Sequence, residues 1–185
     1  TLFRRQDLPV LQIGAALLAV LALSSRESPK WHRPAPALFV AALALAVVAL
    51  SAAGTWLIFA DFPLIRDEIL ADFDAAFLAT GQLVAPIPAE WRPYAQALMP
   101  QIMLQIPAES GWLSAYLPGN AALRALGERT IGMEWVNPLL AALSVVAVYR
   151  IGRRLLPQAP GASMVAALLL ATSAQVLTMA MTPFA

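Results

Sequence analysis

Cysteine is absent from the 185 residues, which excludes disulfides, thiolate metal sites and thiol nucleophiles and leaves the redox compartment open. Histidine occurs once, at His32, so this chain alone cannot build a multi-histidine metal site. Charged residues make up 12% of the chain, where a soluble domain carries about 25%. A net charge of +1 supplies no long-range field for phosphate polymers, so nucleic acid is excluded as a partner. Nine glycines and fifteen prolines are scattered without period, against collagen-like or low-complexity readings. There is no Ser-His-Asp set, no phosphate loop and no zinc-ligand spacing. What the chain does have is apolar residues, 60% of the total, with a mean hydropathy of +0.70. That excess must face something other than water. We therefore expect an all-α integral membrane protein of three to four transmembrane helices, with the lipid bilayer as its main partner.

A spanning helix needs about 20 mostly apolar residues. The first stretch, Leu8 to Leu23, is short and contains Gln12, and reads as a tilted span or an interfacial helix. Arg4 and Arg5 before it raise a signal peptide, but Ser24-Ser25-Arg26 makes a poor cleavage site. Ala37 to Ala60 is 24 residues without a charge and is the clearest span. The third runs from about Gly132 to Tyr149, and the fourth from Ala162 to about Met181. The chain stops at Ala185 just after that run, which reads as a truncation.

Charge then sets the sides. Arg26, Lys30 and Arg33 precede the second stretch, and Arg150, Arg153 and Arg154 follow the third. The positive-inside rule puts both groups in the cytoplasm. Residues 61–131 then lie outside, on the periplasmic side of a bacterial inner membrane, with four basic and eight acidic residues. A full first span would place Arg4 and Arg5 outside, against the same rule, so its orientation stays open. The chain divides into residues 1–60 with the first hydrophobic segments, the outer loop 61–131, and residues 132–185 with two further spans.

The long outer loop contains an amphipathic interfacial helix. Ile65, Ile69, Phe73, Ala76 and Phe77 fall on one side of a 3.6-residue repeat between Ile65 and Gly81. Asp67, Glu68, Asp72 and Asp74 fall within about 160° on the other. Such a helix would lie at the membrane surface, apolar side down. Trp91, Tyr94, Trp112 and Tyr116 suit the headgroup boundary, and a short helix, Asn120 to Leu126, leads to the third span.

Asp67-Glu68, just beyond the second span, is the chemical candidate. On pattern alone the pair is two solvated acids at a helix start, where the macrodipole favours them by about 0.3–1 kcal/mol. The functional reading is a carboxylate held at the membrane surface to take a proton or to bind a divalent cation, the one cofactor considered.

The order of motifs is informative. Arg66-Asp67-Glu68 follows a span, and Tyr116-Leu117-Pro118-Gly119 comes next. Val136-Asn137-Pro138-Leu139-Leu140 then leads to a basic end, Ile151-Gly152-Arg153-Arg154-Leu155. This resembles the N-terminal part of GT-C type membrane glycosyltransferases. Within them it is most similar to bacterial relatives of dolichyl-phosphate-mannose protein mannosyltransferases and of the lipid A aminoarabinose transferase. The likeness covers about Thr55 to Ala185, and one proline of the family's Tyr-Pro-Pro-Gly-like turn is replaced by leucine. It implies transfer of a sugar from a polyprenyl-phosphate donor to an acceptor at the outer face. Asp67 would be the catalytic carboxylate and Glu68 its tuning neighbour. Arg66, Arg92, Arg124 and Arg129, the basic residues of the outer loop, would serve the donor phosphate, each against the plainer reading of a snorkelling interface arginine. No metal ligand set is assigned.

The alternative is a non-catalytic membrane subunit that keeps the loop without the pocket and packs against other membrane subunits. A transporter is disfavoured, because no charge sits within the second or fourth stretch. Glu134 reads as a wet residue or a pocket residue, and Ser173, Gln175, Thr178 and Thr182 as a helix-packing stripe.

Overall fold

The computed structural model describes residues 35–183 apart from 64, 96, 98–101, 105 and 108–110, together with 12, 13 and 16. The chain divides into two units, Thr1–Ala35 and Pro36–Ala185, and nearly all described residues belong to the second. The expected stretch Leu8 to Leu23 lies outside the described residues except for Gln12, Ile13 and Ala16, and the loop containing His32 lies outside them altogether.

The second unit is helical, with no strand among the described residues. Its α-helices are α1 (Pro36–Leu57), α2 (Arg66–Ala79), α3 (Pro118–Glu128), α4 (Val136–Leu155), α5 (Pro160–Ala171) and α6 (Ala174–Ala180). Short 3-10 turns cover Arg92–Tyr94 and Met133–Trp135. Pro118 and Pro160 each stand in a first helical turn, where the missing N–H costs nothing and the fixed φ already suits a helix. Pro138 sits in the first turn of α4 for the same reason.

Two segments, Pro36–Leu57 and Met133–Leu155, are long and apolar enough to cross a membrane. A third span results if α5 and α6 count as one, bent by 56°. The expected continuous helix from Ala162 to Met181 is therefore corrected. The apolar run holds no proline or glycine at the break. Instead Ser173 takes an extended conformation, and its hydroxyl accepts a hydrogen bond from Val176 N. A serine in that role leaves the first helix and caps the next.

Helices α1, α4 and α5 pack together around Val47, Val145, Ala167 and Ala171. Small residues let α4 and α5 approach closely: a Cβ on Gly152 would lie 3.0–3.2 Å from atoms of Ser163. With little hydrophobic drive between helices in lipid, such close packing carries the association. Their outer sides expose Leu38, Leu45, Leu57 and Leu143, which water would not favour and hydrocarbon would. Arg153 and Arg154 end α4, where the helix dipole favours cations.

Helix α2 packs on α3. The chain between them is pinned by two isolated antiparallel bridges, Ala85 with Trp112 and Met103 with Ser114. Gly111 is required there. Its φ is +110°, and a Cβ would approach the Ala85 carbonyl oxygen to 2.3 Å. These bridges deliver Ser114 and Tyr116 to α2.

Gly152→Leu should force α4 and α5 apart and cost about 1–3 kcal/mol, as overpacking does. Thermal unfolding of the purified protein in detergent reads this as a lower Tm; an unchanged Tm would place the helix contact elsewhere.

Candidate functional site

The four acids of α2 differ in exposure, and of the pair expected to be solvated, Asp67-Glu68, Glu68 is buried. Glu68 and Asp74 are buried, and Asp67 and Asp72 are partly covered. The exposed strip of the helix is Ile65, Ile69 and Ala76. The acidic arc splits into two edges that meet different partners.

Asp72 meets Arg124 of α3. Arg124 Nε donates to Asp72 Oδ1 at 2.8 Å, a second guanidinium N–H reaches the same oxygen, and the third nitrogen donates to the Met133 carbonyl at 3.4 Å. The arginine side chain is 5% exposed and the Asp72 side chain 35%. Both line a cavity of about 160 Å³ whose other walls include Thr55, Asp61, Phe62 and Glu134. Ala60 and Asp61 hold φ near +52° beyond the end of α1, a left-handed turn that costs non-glycine residues energy and brings Asp61 round to the cavity.

The floor of that cavity is the segment after α6. Three successive carbonyls are held by three helices. Thr55 Oγ1 of α1 donates to Met181 O at 2.9 Å, Asn137 Nδ2 of α4 donates to Thr182 O, and Asn120 Nδ2 of α3 donates to Pro183 O at 3.4 Å. Asn137, part of the motif that carries the expected resemblance, therefore acts here as a clamp.

Asp67 and Asp74 occupy the other edge. They stand seven residues apart, nearly two full turns, so with Ala71 they share one face. Together with Tyr116, Leu117, Asn120 and Ala121 they line a second cavity of about 20 Å³. The Tyr116 side chain stands beside Asp67 on this cavity. Desolvation, and then the neighbouring Asp67 carboxylate and its charge, hold the Tyr116 phenol above its ordinary pKa. Asp74 Oδ2 accepts a hydrogen bond from Ser114 Oγ, which in turn accepts from the Tyr116 backbone N–H at 3.2 Å.

The predicted site residues are thus only partly brought together. Asp67 lines the small cavity, and Glu68 is buried beside it in the first turn of α2. Arg124 lines the large cavity, but its donors are engaged by Asp72 and Met133. Arg66 and Arg129 are exposed, Arg92 donates to the Ile87 carbonyl at 3.1 Å, and none of the three lines either cavity. Glu134 does line the large one, whereas the polar stripe divides: Thr182 lines that cavity and Gln175 a groove beside Asn137 and Ser144. Asp61, Asp72, Asp74, Asn120 and Tyr116 were not picked as site residues. For Asp74 the signal was present, since the i, i+4, i+7 spacing from Asp67 marks a shared face. Among the described residues no group of three or more His, Cys, Asp or Glu could hold a metal ion.

The chain matches no family model, no curated protein and no solved structure.

Two outcomes follow from this geometry. Asp72→Ala leaves a buried guanidinium uncompensated and should cost about 3 kcal/mol. Arg124→Met leaves a carboxylate that water already reaches, and should cost less; an equal or reversed order in thermal unfolding would contradict the pairing. The second concerns titration. A raised phenol pKa means that the Tyr116 contact is intact at and below the ordinary value and is lost as pH climbs through the raised one. In Asp67→Asn the phenol should ionise at lower pH than in the parent, read by ultraviolet absorbance with Tyr116→Phe subtracted. An unmoved titration would separate the two residues.

Proposed function

We propose that this chain contributes to sugar transfer from a polyprenyl-phosphate donor to an acceptor at the outer face of a bacterial inner membrane, in the manner of GT-C type glycosyltransferases. One observation supports this reading above the others: Asp67 of the Arg66-Asp67-Glu68 motif lines one small cavity together with Tyr116 and Leu117 of the Tyr116-Leu117-Pro118-Gly119 turn. Two motifs far apart in sequence meet at the residue with the chemistry. The remaining motif, Asn137-Pro138, begins α4 at the same end and holds the segment that floors the adjoining cavity.

In this reading residues 61–131 lie on the periplasmic side, and the exposed Ile65, Ile69 and Ala76 rest α2 on the interface. The acceptor oxygen attacks the anomeric carbon from the face opposite the phosphate. The new carbon–oxygen bond forms as the bond to the phosphate oxygen breaks, and the polyprenyl phosphate leaves with that electron pair. Asp67 takes the acceptor proton. Tyr116, on the same cavity, flanks the carboxylate and leaves its lone pairs for the acceptor. Glu68 stands behind Asp67 as its neighbouring carboxylate. Arg124 is committed to Asp72, so exposed Arg66, Arg92 and Arg129 are the cations of this loop left to meet the donor phosphate.

Asp67→Asn should lower transfer by about 10²–10⁴-fold, the share carried by a positioned proton acceptor. The assay follows labelled sugar from a polyprenyl-phosphate donor into acceptor in proteoliposomes of the protein, with Tm measured in parallel. Undiminished turnover in the folded variant would remove Asp67 from the mechanism.

A further inference from the structure

The large cavity carries charge that the ion pair beside it does not balance. Asp61, Asp72 and Glu134 line it, and Arg124 is the one basic residue that does. Arg124 is committed to Asp72 and to the Met133 carbonyl, and its pair with Asp72 is the one ion pair among the described residues. Asp61 and Glu134 therefore stand at the cavity without a basic partner. The place of Glu134 depends on the glycine two residues before it. A Cβ on Gly132 would lie 2.5 Å from both Glu134 carboxylate oxygens, and its φ of +100° favours glycine as well.

A third polar group at the same cavity asks for a partner. Thr182 is 8% exposed and lines the cavity, yet its hydroxyl makes no hydrogen bond with any described residue. Its carbonyl is held by Asn137, so the residue is fixed while the hydroxyl stays available. Native structures seldom keep such a group unpaired without an occupant.

The occupant follows from charge, walls and count. Phe59, Phe62, Pro63 and Met181 supply apolar walls, which suit the carbon frame of an organic cation, and ring faces attract its charge. A bare metal ion needs an oxygen shell instead, and among the described residues no group of acids could hold one. A primary ammonium has three N–H donors, and Asp61, Glu134 and the Thr182 hydroxyl supply three acceptors. A trimethylated ammonium has no donor and would leave Thr182 unpaired.

The position of the cavity indicates what carries the amine. Thr55 and Phe59 line it at the end of α1, a helix long enough to span. Beside them Trp56, Leu57, Ile58 and Phe62 are exposed and continue the apolar outer side of that helix past its end. A tryptophan at a span's end suits the headgroup level. An amine arriving there is borne by a lipid.

We propose that Asp61, Glu134 and Thr182 form a binding site for the primary ammonium of an aminophospholipid headgroup, of the phosphatidylethanolamine type. The site goes beyond the glycosyl-transfer reading and does not need it, since none of the three residues takes part in the transfer step.

The test titrates the full chain in a maltoside detergent with dihexanoyl phosphatidylethanolamine and counts bound lipid by native mass spectrometry. We expect a single saturable site per chain. The phosphatidylcholine analogue, methylated at nitrogen, should bind about tenfold more weakly or worse, and phosphatidylglycerol, which has no cation, should not saturate. Asp61→Asn and Glu134→Gln, both at exposed positions, should each weaken the ethanolamine lipid by about tenfold, and Thr182→Val by about threefold. Glu90→Gln, on the exposed loop, should change nothing. Equal binding of the three lipids, or no saturable site, overturns the proposal. So does binding that survives in the folded variants, or an equal loss in Glu90→Gln, which would mark diffuse attraction to surface acids. Free ethanolamine binding as tightly as the lipid would also overturn it, because the site would then be one for soluble amines.

Discussion

The Arg124 guanidinium sets the arrangement of α2 and α3. It is buried on α3, yet its partners lie on two other segments, Asp72 of α2 and the Met133 carbonyl in the turn that enters α4. An unpaired guanidinium in that position would cost several kcal/mol, so α2 has to present Asp72 toward α3. Once Asp72 is fixed, the rotation of α2 about its axis is fixed as well. Glu68 turns inward, Asp67 and Asp74 reach the edge that meets Tyr116 and Asn120, and Ile65, Ile69 and Ala76 turn outward. The location of the carboxylates follows from one ion pair rather than from helix amphipathicity.

That dependence explains how far the sequence could be read. The spans α1 and α4 were legible because a long uncharged run has few alternatives in lipid, where every backbone N–H and C=O must be satisfied within the segment. The α2 helix and the arc of its four acids were legible too, since both come from periodicity. What faced the arc was not. Whether Asp72 and Asp74 meet water, lipid headgroups or Arg124 and Ser114 depends on residues more than 35 positions away, and no local pattern carries that. The break at Thr172-Ser173 was hidden for a related reason. Ser173 is one hydroxyl in an apolar run, equally able to bond within a helix or to cap a new one, and the packing of α6 on α4 and α1 decides which.

The large cavity was the least legible feature because five separate segments build it. Asp61 reaches it only through the left-handed turn at Ala60-Asp61, a conformation that neither residue announces. Glu134 reaches it from the 3-10 turn before α4. Asn137 was legible as a motif residue, but its partner, the Thr182 carbonyl, lies 45 positions away. Local rules locate helices well and locate the walls of a cavity badly, because walls are a product of how helices meet.

The clamp on residues 181–183 joins the two halves of the structure. Thr55 and Asn137 belong to the helices long enough to span, whereas Asn120 belongs to the α2–α3 pair, and all three hold consecutive carbonyls of one short segment. A shift of α1 against α4 would therefore be felt at Asn120, whose other amide atom lines the small cavity with Asp67. The same segment floors the large cavity beside Arg124. The large cavity thus shares a wall with a helix long enough to span, and the small one is tied to that part of the fold through Asn120, so the geometry around Asp67 is coupled to how those helices pack. This is the physical reason to expect that substitutions at the α4–α5 crossing, far from any carboxylate, will disturb the site along with the fold.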